Sequence, residues 1–402
     1  MSSFKNSDPR PVMGRPAQLD WDRPPWNRWA FQNIREILPT TEVWRGIGAV
    51  SQFAMSHVAL GGVTVNDSAG KPTTLDGLLD ETYTDGFLVL HRGAIIYERY
   101  FNGMSPRTLH IAQSVSKSVV GALAGIFVNS GALNPARLVT DYLPELKATA
   151  WDGATVQQVL DMTTGVTFSE EYTNPYSEVG QVDVASGWKP IPAGADPNFK
   201  WPENVWQLIL SLKKVERPHG TKFVYRSIET DVLAFILERL SGHGLAQLVS
   251  EHIWQKLGCD ESANFTIDTA GYALGEGGFN ACLRDFGRFG QMLLQNGGGI
   301  IPASWVQEIR QGVTYGNFKP SPEEPNFKGG YHNQFWHEGP HSKLIMCLGV
   351  FGQMIAIDYA SELVVVKLSS WPDFTNTAFS NASIAAVHAI AATLNQPATF
   401  VK

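Results

Sequence analysis

The chain has 402 residues, 44% of them hydrophobic and 17% charged, so it can bury a large core. A net charge of −7, without any run of Lys or Arg, argues against a nucleic-acid or anionic-membrane partner. The cysteines Cys259, Cys282 and Cys347 are scattered and predict neither a disulfide framework nor a metal site. No signal segment or membrane-spanning apolar stretch is evident, so we expect a cytoplasmic protein with reduced thiols.

The first third of the sequence predicts an extended segment, a hairpin and a helix. Residues 1–45 are rich in Pro and Trp and favour a segment that wraps the body of the protein. Apolar runs at 87–90 and 94–100 flank His91-Arg92-Gly93, which is typical of a β-hairpin. A helical pattern then covers 116–128 and ends at Asn129-Ser130-Gly131.

The rest of the sequence predicts a helical middle and a return to strands. Helical patterns and strand patterns follow one another in this order: helices at 156–162, 204–213 and 230–240, strands at 344–358 and 362–369, and a closing helix at 382–394. The Gly- and Pro-rich stretch 165–203 has little periodicity, and a loop of that length is usually functional.

These elements predict an α+β fold in which both chain ends build one antiparallel sheet. We expect residues 46–130 and 330–402 to form the sheet domain and its flanking helices. Residues 131–329 would be an inserted, mostly helical region that carries active-site loops.

The first candidate site is Ser114-Val115-Ser116-Lys117 at the start of the helix predicted at 116–128. Residues three apart share a helix face, so the Ser114 and Lys117 side chains can meet. A helix N-terminus opposes a cation, so we expect it to lower the lysine pKa and to stabilise a serine alkoxide. An N-capping serine beside a solvated lysine is the alternative interpretation.

Two further elements fit a serine nucleophile. Tyr225-Arg226-Ser227 precedes the helix predicted at 230–240, after an apolar, strand-like run, and could supply a proton-relaying phenol and a small polar group that holds the lysine. Later, the glycines of 347–352 allow a substrate to approach a strand closely. The backbone N–H of Val350 could then pair with that of Ser114 as an oxyanion hole.

In order and spacing, these elements resemble the class C β-lactamase, penicillin-binding and esterase superfamily, which implies a β-lactamase-like fold. The segments 159–165 and 277–288 support the resemblance. A closer resemblance, to the 6-aminohexanoate-dimer (nylon-oligomer) hydrolases, is carried by 25–31, 83–90 and 365–373. Cys347 stands where β-lactamases have the lysine of Lys-Thr-Gly, so β-lactamase activity is not expected.

The resemblance also implies substrate-binding residues. Tyr172 would help the leaving amine, and Asp183 would pair with the free amino group of an amide substrate. At Glu276 the sequence departs from those hydrolases, which have a neutral or imidazole side chain there; an added carboxylate would favour a cationic amine or change the accepted chain length. Trp336 could form a wall of the pocket beside an aliphatic chain. Ser227 is the last of the predicted substrate-binding residues. For Asp183 a loop-capping role, for Glu276 an exposed loop position and for Trp336 a core position stay open.

The sequence therefore predicts a serine hydrolase that cleaves short linear amides through an acyl-enzyme and that also has esterase activity. A carboxylesterase or acyltransferase acting on short acyl esters is the alternative, and a non-catalytic ligand-binding descendant is a third. No Gly-x-Ser-x-Gly, phosphate-loop or His-Glu-x-x-His motif occurs, so no cofactor or metal is implied. The expected partner is a small-molecule substrate, and a homodimer stays open.

Overall fold

The computed structural model describes residues 20–312, 329–339 and 342–395. Its strands, in chain order, are β1 (Thr40–Val43), β2 (Ala54–Met55), β3 (Thr64–Asn66), β4 (Pro72–Thr74), β5 (Thr84–His91), β6 (Ala94–Tyr100), β7 (His110–Ile111), β8 (Ala263–Thr266), β9 (Phe279–Ala281), β10 (Gly330–His332), β11 (Phe335–His337), β12 (Leu344–Gly349), β13 (Gln353–Asp358) and β14 (Leu363–Ser369).

The helices lie mostly between β7 and β10. They are α1 (Asn27–Ala30), α2 (Leu75–Glu81), α3 (Val115–Asn129), α4 (Val139–Tyr142), α5 (Val156–Leu160), α6 (Glu178–Ala185), α7 (Val205–Ser211), α8 (Ile228–Ser241), α9 (Leu245–Val249), α10 (Gln255–Leu257), α11 (Leu283–Leu294), α12 (Ala303–Gln311) and α13 (Thr377–Leu394). Short 3₁₀ turns occur at Ile34–Glu36, Pro144–Ala148 and Val350–Gly352, and a π-helical turn at Ser250–Trp254.

The main sheet is built from both ends of the chain, as the sequence predicts. Within the described residues it has eight strands, in the order β10-β11-β12-β13-β14-β5-β6-β2. Neighbours are antiparallel except β2 and β6, which run parallel. The two halves meet where β14 pairs with β5, for example at Val365 opposite Val89. The predicted α+β class is therefore confirmed.

Helices cover both faces of this sheet. Helix α11 packs on one face against β5, β13 and β14. On the other face, α2 and the buried side of α13 share an apolar cluster with the sheet. By length and composition α13 could cross a membrane (mean hydropathy 1.3), and so could the bent pair Ile228–Ser241 with Leu245–Leu257 taken together. Because core helices pass the same test, and α13 packs on the sheet, this is weak support for a span.

Helix α3 runs through the core and begins directly after Ser114. It extends over Val115–Asn129, one residue beyond the predicted helix at each end, and almost all of its residues are buried. Trp305 packs directly on it: a Cβ added to Gly125 would lie 2.2 Å from that indole ring, and the indole N–H donates to the Gly121 carbonyl at 3.0 Å. A larger side chain at Gly125 would therefore displace the helix.

One strand prediction was wrong. The sequence favoured a single strand over 344–358, but the structure folds this stretch into the hairpin β12–β13, with Gly349 opposite Gln353. Phe351 and Gly352 have φ values of 61° and 87°, and such left-handed residues reverse the chain. As a result β12 ends at Gly349, next to the start of α3.

The structure also has one helix that the sequence did not predict, and its closing helix starts earlier than predicted. The stretch 165–203 contains α6, which the sequence pattern did not indicate, and its N-cap Ser177 accepts from the Gly180 N–H at 3.1 Å. The closing helix begins five residues earlier than predicted, where the Asn376 side chain caps the Phe379 N–H at 3.0 Å.

The described part of the N-terminal segment, from residue 20, contacts distant parts of the chain. Trp21 is fully buried and donates to the Trp188 carbonyl at 3.1 Å. Asn27 donates to the Trp371 carbonyl at 2.7 Å, near the far end of the chain. Residues 1–19 of the predicted 1–45 wrap lie outside the described residues. The proposed division into a sheet domain and an inserted helical region remains a prediction.

Candidate active site

The predicted nucleophile and base are in contact. The Lys117 Nζ donates to the Ser114 Oγ at 2.8 Å and to the Glu276 carbonyl at 2.6 Å. Lys117 is only 2% exposed, and the Ser114 side chain caps no helix N–H. The interpretation as a capping serine with a solvated lysine is therefore wrong, because the lysine is buried against the serine.

Tyr225 completes this group. Its phenol is within hydrogen-bonding reach of both Ser114 and Lys117, and the Lys117 Nζ lies 5.2 Å from the centre of its ring. The Trp336 ring stacks on it at 5.4 Å and 21°. The segment before Tyr225 is irregular rather than the strand-like run that the sequence suggested. Tyr225 is held by packing against its aromatic neighbour instead of by a sheet.

Charges around the pair determine its resting protonation. Burial alone lowers the pKa of Lys117, but Tyr225, Glu276 and Glu170 together raise this pKa above its ordinary value. Burial also raises the pKa of the Tyr225 phenol, against the opposing effect of Lys117. The expected lowering of the lysine pKa is thus wrong, because Tyr225 and the two nearby carboxylates together outweigh the effect of burial. The pKa of Lys117 and the pKa of Tyr225 are thus both raised in this pair.

The backbone around Gly349 places β12 against the nucleophile. A Cβ added to Gly349 would lie 2.7 Å from the Ala112 carbonyl oxygen and 3.0 Å from the Ser114 nitrogen. Only glycine allows the strand this close. The first N–H groups of a helix have no intrahelical acceptor, so the Ser114 amide is available to an anion. Val350 follows Gly349 directly and lines the same cavity as Ser114.

A cavity of about 460 Å³ opens over Ser114. Its walls are mainly apolar and aromatic, and they include Tyr172 and Trp336 of the predicted binding residues. Tyr172 stacks on Phe374 at 5.3 Å, a contact that the sequence did not indicate. A cavity of this size can hold a small, mostly aliphatic substrate.

Sequence reasoning missed Glu170, an acidic residue in the cavity wall. Its carboxylate accepts from the Ser227 N–H at 2.6 Å, the Ser227 hydroxyl at 3.2 Å and the Tyr172 hydroxyl at 2.7 Å. Glu170 lines the cavity, whereas Ser227 lies behind it and is 3% exposed. Ser227 therefore positions Glu170. No motif marks this residue, because its role depends on a loop fold that sequence periodicity does not show.

The other two predicted carboxylates lie behind the cavity wall. Glu276 is 7% exposed, not a solvent-exposed loop residue, and its Oε2 accepts no hydrogen bond from the described residues. Burial raises its pKa to about 7, against the effect of Lys117. Asp183 lies 3.3 Å from the Lys189 Nζ, and burial raises its pKa to about 6. Lys189 also pairs with Asp22 at 2.7 Å, so Asp183 is partly neutralised from within the protein.

The described residues include one group with metal-ligating side chains close together: Asp260, Cys282 and Asp285. Arg288 donates to Asp260 at 2.9 Å and to Asp285 at 2.6 Å. A guanidinium therefore already supplies the positive charge at this group, which is better explained as a structural ion-pair network than as a metal centre.

Comparisons with known proteins agree with this arrangement. The family model "Beta-lactamase" matches residues 77–389. The chain belongs to this family. It is also 34% identical to the 6-aminohexanoate-dimer hydrolase of Paenarthrobacter ureafaciens over 375 residues, which are 91% of each chain. The predicted resemblance to those hydrolases is confirmed, and membership makes the chain a hydrolase.

Solved structures show the same relationship. A protein from Bacillus anthracis, provisionally named a 6-aminohexanoate-dimer hydrolase, is 30% identical with a TM-score of 0.84, covering 94% of this chain and 98% of that one. EstCE1, described as a hydrolase with promiscuous acyltransferase activity, is 18% identical with a TM-score of 0.61, covering 78% of this chain and 96% of that one. At that identity the likeness to EstCE1 shows the fold alone.

Proposed function

We propose that this protein is a serine amidohydrolase, with esterase activity, that cleaves short linear amides bearing a free amino end through an acyl-enzyme. The observation that carries the proposal is the buried contact of the Lys117 Nζ with the Ser114 Oγ at 2.8 Å, beside the Tyr225 phenol. A serine hydroxyl needs such a neighbouring base to become a nucleophile. The similarity to 6-aminohexanoate-dimer hydrolases supports the substrate class.

The reaction begins with loss of one proton from the Lys117/Tyr225 pair, which leaves a base beside the serine. The pair then accepts the Ser114 hydroxyl proton as the Oγ–carbon bond forms and the carbonyl electrons move to its oxygen. The N–H groups of Ser114 and Val350 stabilise that oxyanion, because fixed donors aimed at developing charge lower the barrier most.

The tetrahedral intermediate then breaks its C–N bond. The pair returns its proton to the leaving amine, and the Tyr172 hydroxyl assists at the cavity wall. Water attacks the acyl-enzyme, gives a proton to the same pair and releases the acid, while the Ser114 oxygen regains its proton. An ester follows the same course and leaves as the alcohol.

The acidic side of the cavity selects the free amino end. Glu170 lines the cavity, and Glu276 and Asp183 lie near enough to interact electrostatically with one another behind it. Such a group of carboxylates attracts an ammonium ion and disfavours an anionic acyl chain. We assign direct contact to Glu170, with Glu276 and Asp183 adding to the field.

The mechanism is tested with Ser114→Ala and a control, Ser380→Ala, which also removes a hydroxyl from the cavity lining. Turnover of p-nitrophenyl acetate and of 6-aminohexanoate dimer is measured, and acid-quenched enzyme is weighed by mass spectrometry. We expect Ser114→Ala to abolish both activities and the acyl adduct, and Ser380→Ala to keep them. Retained turnover in Ser114→Ala would refute the mechanism.

The amino-end preference is tested with two p-nitrophenyl esters, those of 6-aminohexanoate and of hexanoate. Glu170→Gln and Asp183→Asn should raise KM for the amino ester and leave KM for the hexanoate ester unchanged. The comparison uses KM because Glu170 also raises the pKa of Lys117 and so affects kcat for both esters. The neighbouring Glu171→Gln is the control, because Glu171 lines the cavity without bonding Ser227 or Tyr172. Equal effects on both esters would show that these carboxylates do not bind the amine.

A non-catalytic, ligand-binding role is the competing function. It predicts that one part of the Ser114, Lys117 and Tyr225 group is missing or turned away, whereas all three side chains are in contact. Labelling of Ser114 by a fluorophosphonate separates the two, since a binding protein would leave the serine unmodified.

A further inference from the structure

One cation on the cavity wall is not used by the proposed mechanism. Of the described residues that line the cavity, Lys222 is the single lysine or arginine. It is half-buried, and within the described ranges no side chain or carbonyl pairs with its ammonium group. The cavity therefore has carboxylates at one part of its wall and an uncompensated positive charge at another.

Packing of its neighbours fixes the position of Lys222. Phe223 is 2% exposed and lies 5.3 Å from the Tyr331 ring and 5.8 Å from the Trp336 ring. Trp336 in turn stacks on Tyr225. The segment 222–225 is therefore held against one aromatic cluster. This packing fixes the backbone position from which the Lys222 side chain extends into the cavity wall.

The chain also limits how far Lys222 lies from the reaction centre. Tyr225 is three positions further along the chain, so the two Cα atoms are at most about 11 Å apart. The lysine stem is flexible, so its ammonium group can adjust to an anion bound in the cavity. A carboxylate at the far end of an aliphatic leaving amine is therefore within reach of Lys222, because Tyr225 serves the amine nitrogen in the proposed mechanism.

We propose that Lys222 binds the carboxylate at the acid end of the substrate, so that the enzyme removes the last unit of an oligomer of amino acids. This inference rests on the proposed function and specifies its leaving group. The ammonium end meets Glu170 and the carboxylate end meets Lys222, which makes a short zwitterion the substrate class. Both ends are then recognised by charge, and the apolar walls accept the methylenes between them.

The test compares Lys222→Gln and Lys222→Glu with wild type on 6-aminohexanoate dimer and on the same dimer with its carboxylate converted to a carboxamide. We expect kcat/KM for the free acid to fall about 5-fold in Lys222→Gln, the scale of a partly exposed ion pair, and further in Lys222→Glu. The carboxamide should be unaffected. Lys71→Gln, an exposed lysine outside the cavity, is the control.

A second substrate pair separates this inference from the proposed amidase activity. Acetyl esters of 6-hydroxyhexanoate and of 6-hydroxyhexanamide place the same charge difference on an alcohol leaving group. If wild type cleaves these esters but neither dimer, the amidase proposal fails, and Lys222 is still judged on the ester pair. Equal changes on the acid and the amide, or no change on either, would overturn the role of Lys222.

Discussion

Substitution of Gly349 by alanine tests whether β12 forms part of the oxyanion hole. Gly349 has φ −141° and ψ 149°, which any residue adopts, so alanine brings no backbone strain. Its Cβ would, however, lie 2.7 Å from the Ala112 carbonyl oxygen and 3.0 Å from the Ser114 nitrogen. Both are backbone atoms that cannot rotate away, so the strand must move.

The size of the movement sets the expected loss. An ordinary contact begins at 3.4 Å, so the strand has to retreat from the Ala112 oxygen by about 0.7 Å, and the Val350 N–H retreats with it. Loss of one oxyanion donor, or a comparable misplacement, costs about 100-fold in kcat. We therefore expect kcat for p-nitrophenyl acetate to fall about 100-fold, with KM changed much less.

The control is Gly62→Ala, where an added Cβ meets nothing within 4 Å. Thermal unfolding and circular dichroism of both variants establish that the fold is intact. If Gly349→Ala is folded and keeps kcat within about 3-fold of wild type, then Val350 supplies no oxyanion donor and the assignment is wrong.

Two further predictions concern buried charge. Glu276→Gln removes an anion that raises the pKa of Lys117, so the rising limb of the pH–rate profile should move to lower pH. The shift is best seen above pH 7, where Glu276 is ionised. The control Glu171→Gln should leave the limb in place, and an alkaline shift in Glu276→Gln would contradict the reasoning. Burial lowers the pKa of Lys367 to about 7, so wild type should gain about 1.4 kcal/mol of stability per pH unit from pH 7 to the unfolded pKa. Lys367→Met should therefore raise Tm most below pH 7 and less at pH 9, and Lys71→Met is the control. If the difference in Tm between Lys367→Met and wild type is the same at every pH, Lys367 does not titrate in this range.

Local sequence patterns were enough to predict the elements that depend on near neighbours. The hairpin at 87–100 and the helix beginning near Ser114 follow from alternation, turn residues and helical spacing, and the structure has both. The break of 344–358 was missed because a continuous apolar run does not reveal where left-handed residues such as Phe351 reverse the chain.

The site residues divide in the same way: contacts between near neighbours in the sequence could be predicted, and contacts between distant residues could not. Ser114 and Lys117 are one helical turn apart, so their contact follows from spacing. The ion pair between Lys189 and Asp183 could not be predicted from the sequence. Nor does sequence spacing show that the same lysine pairs with Asp22, which is distant in the chain. Glu170 depends likewise on Ser227, 57 residues away, and long-range polar partners have no local signature.

The hydrogen bond from Asn27 to the Trp371 carbonyl has a consequence for the order of assembly. Trp371 lines the cavity, so part of the cavity wall is held by a contact between residues 344 positions apart in the chain. Contacts between such distant parts of a chain slow folding. A nascent chain that stalls after α12 would therefore carry Ser114, Lys117 and Tyr225 but would lack Val350 and the part of the cavity wall that Trp371 forms.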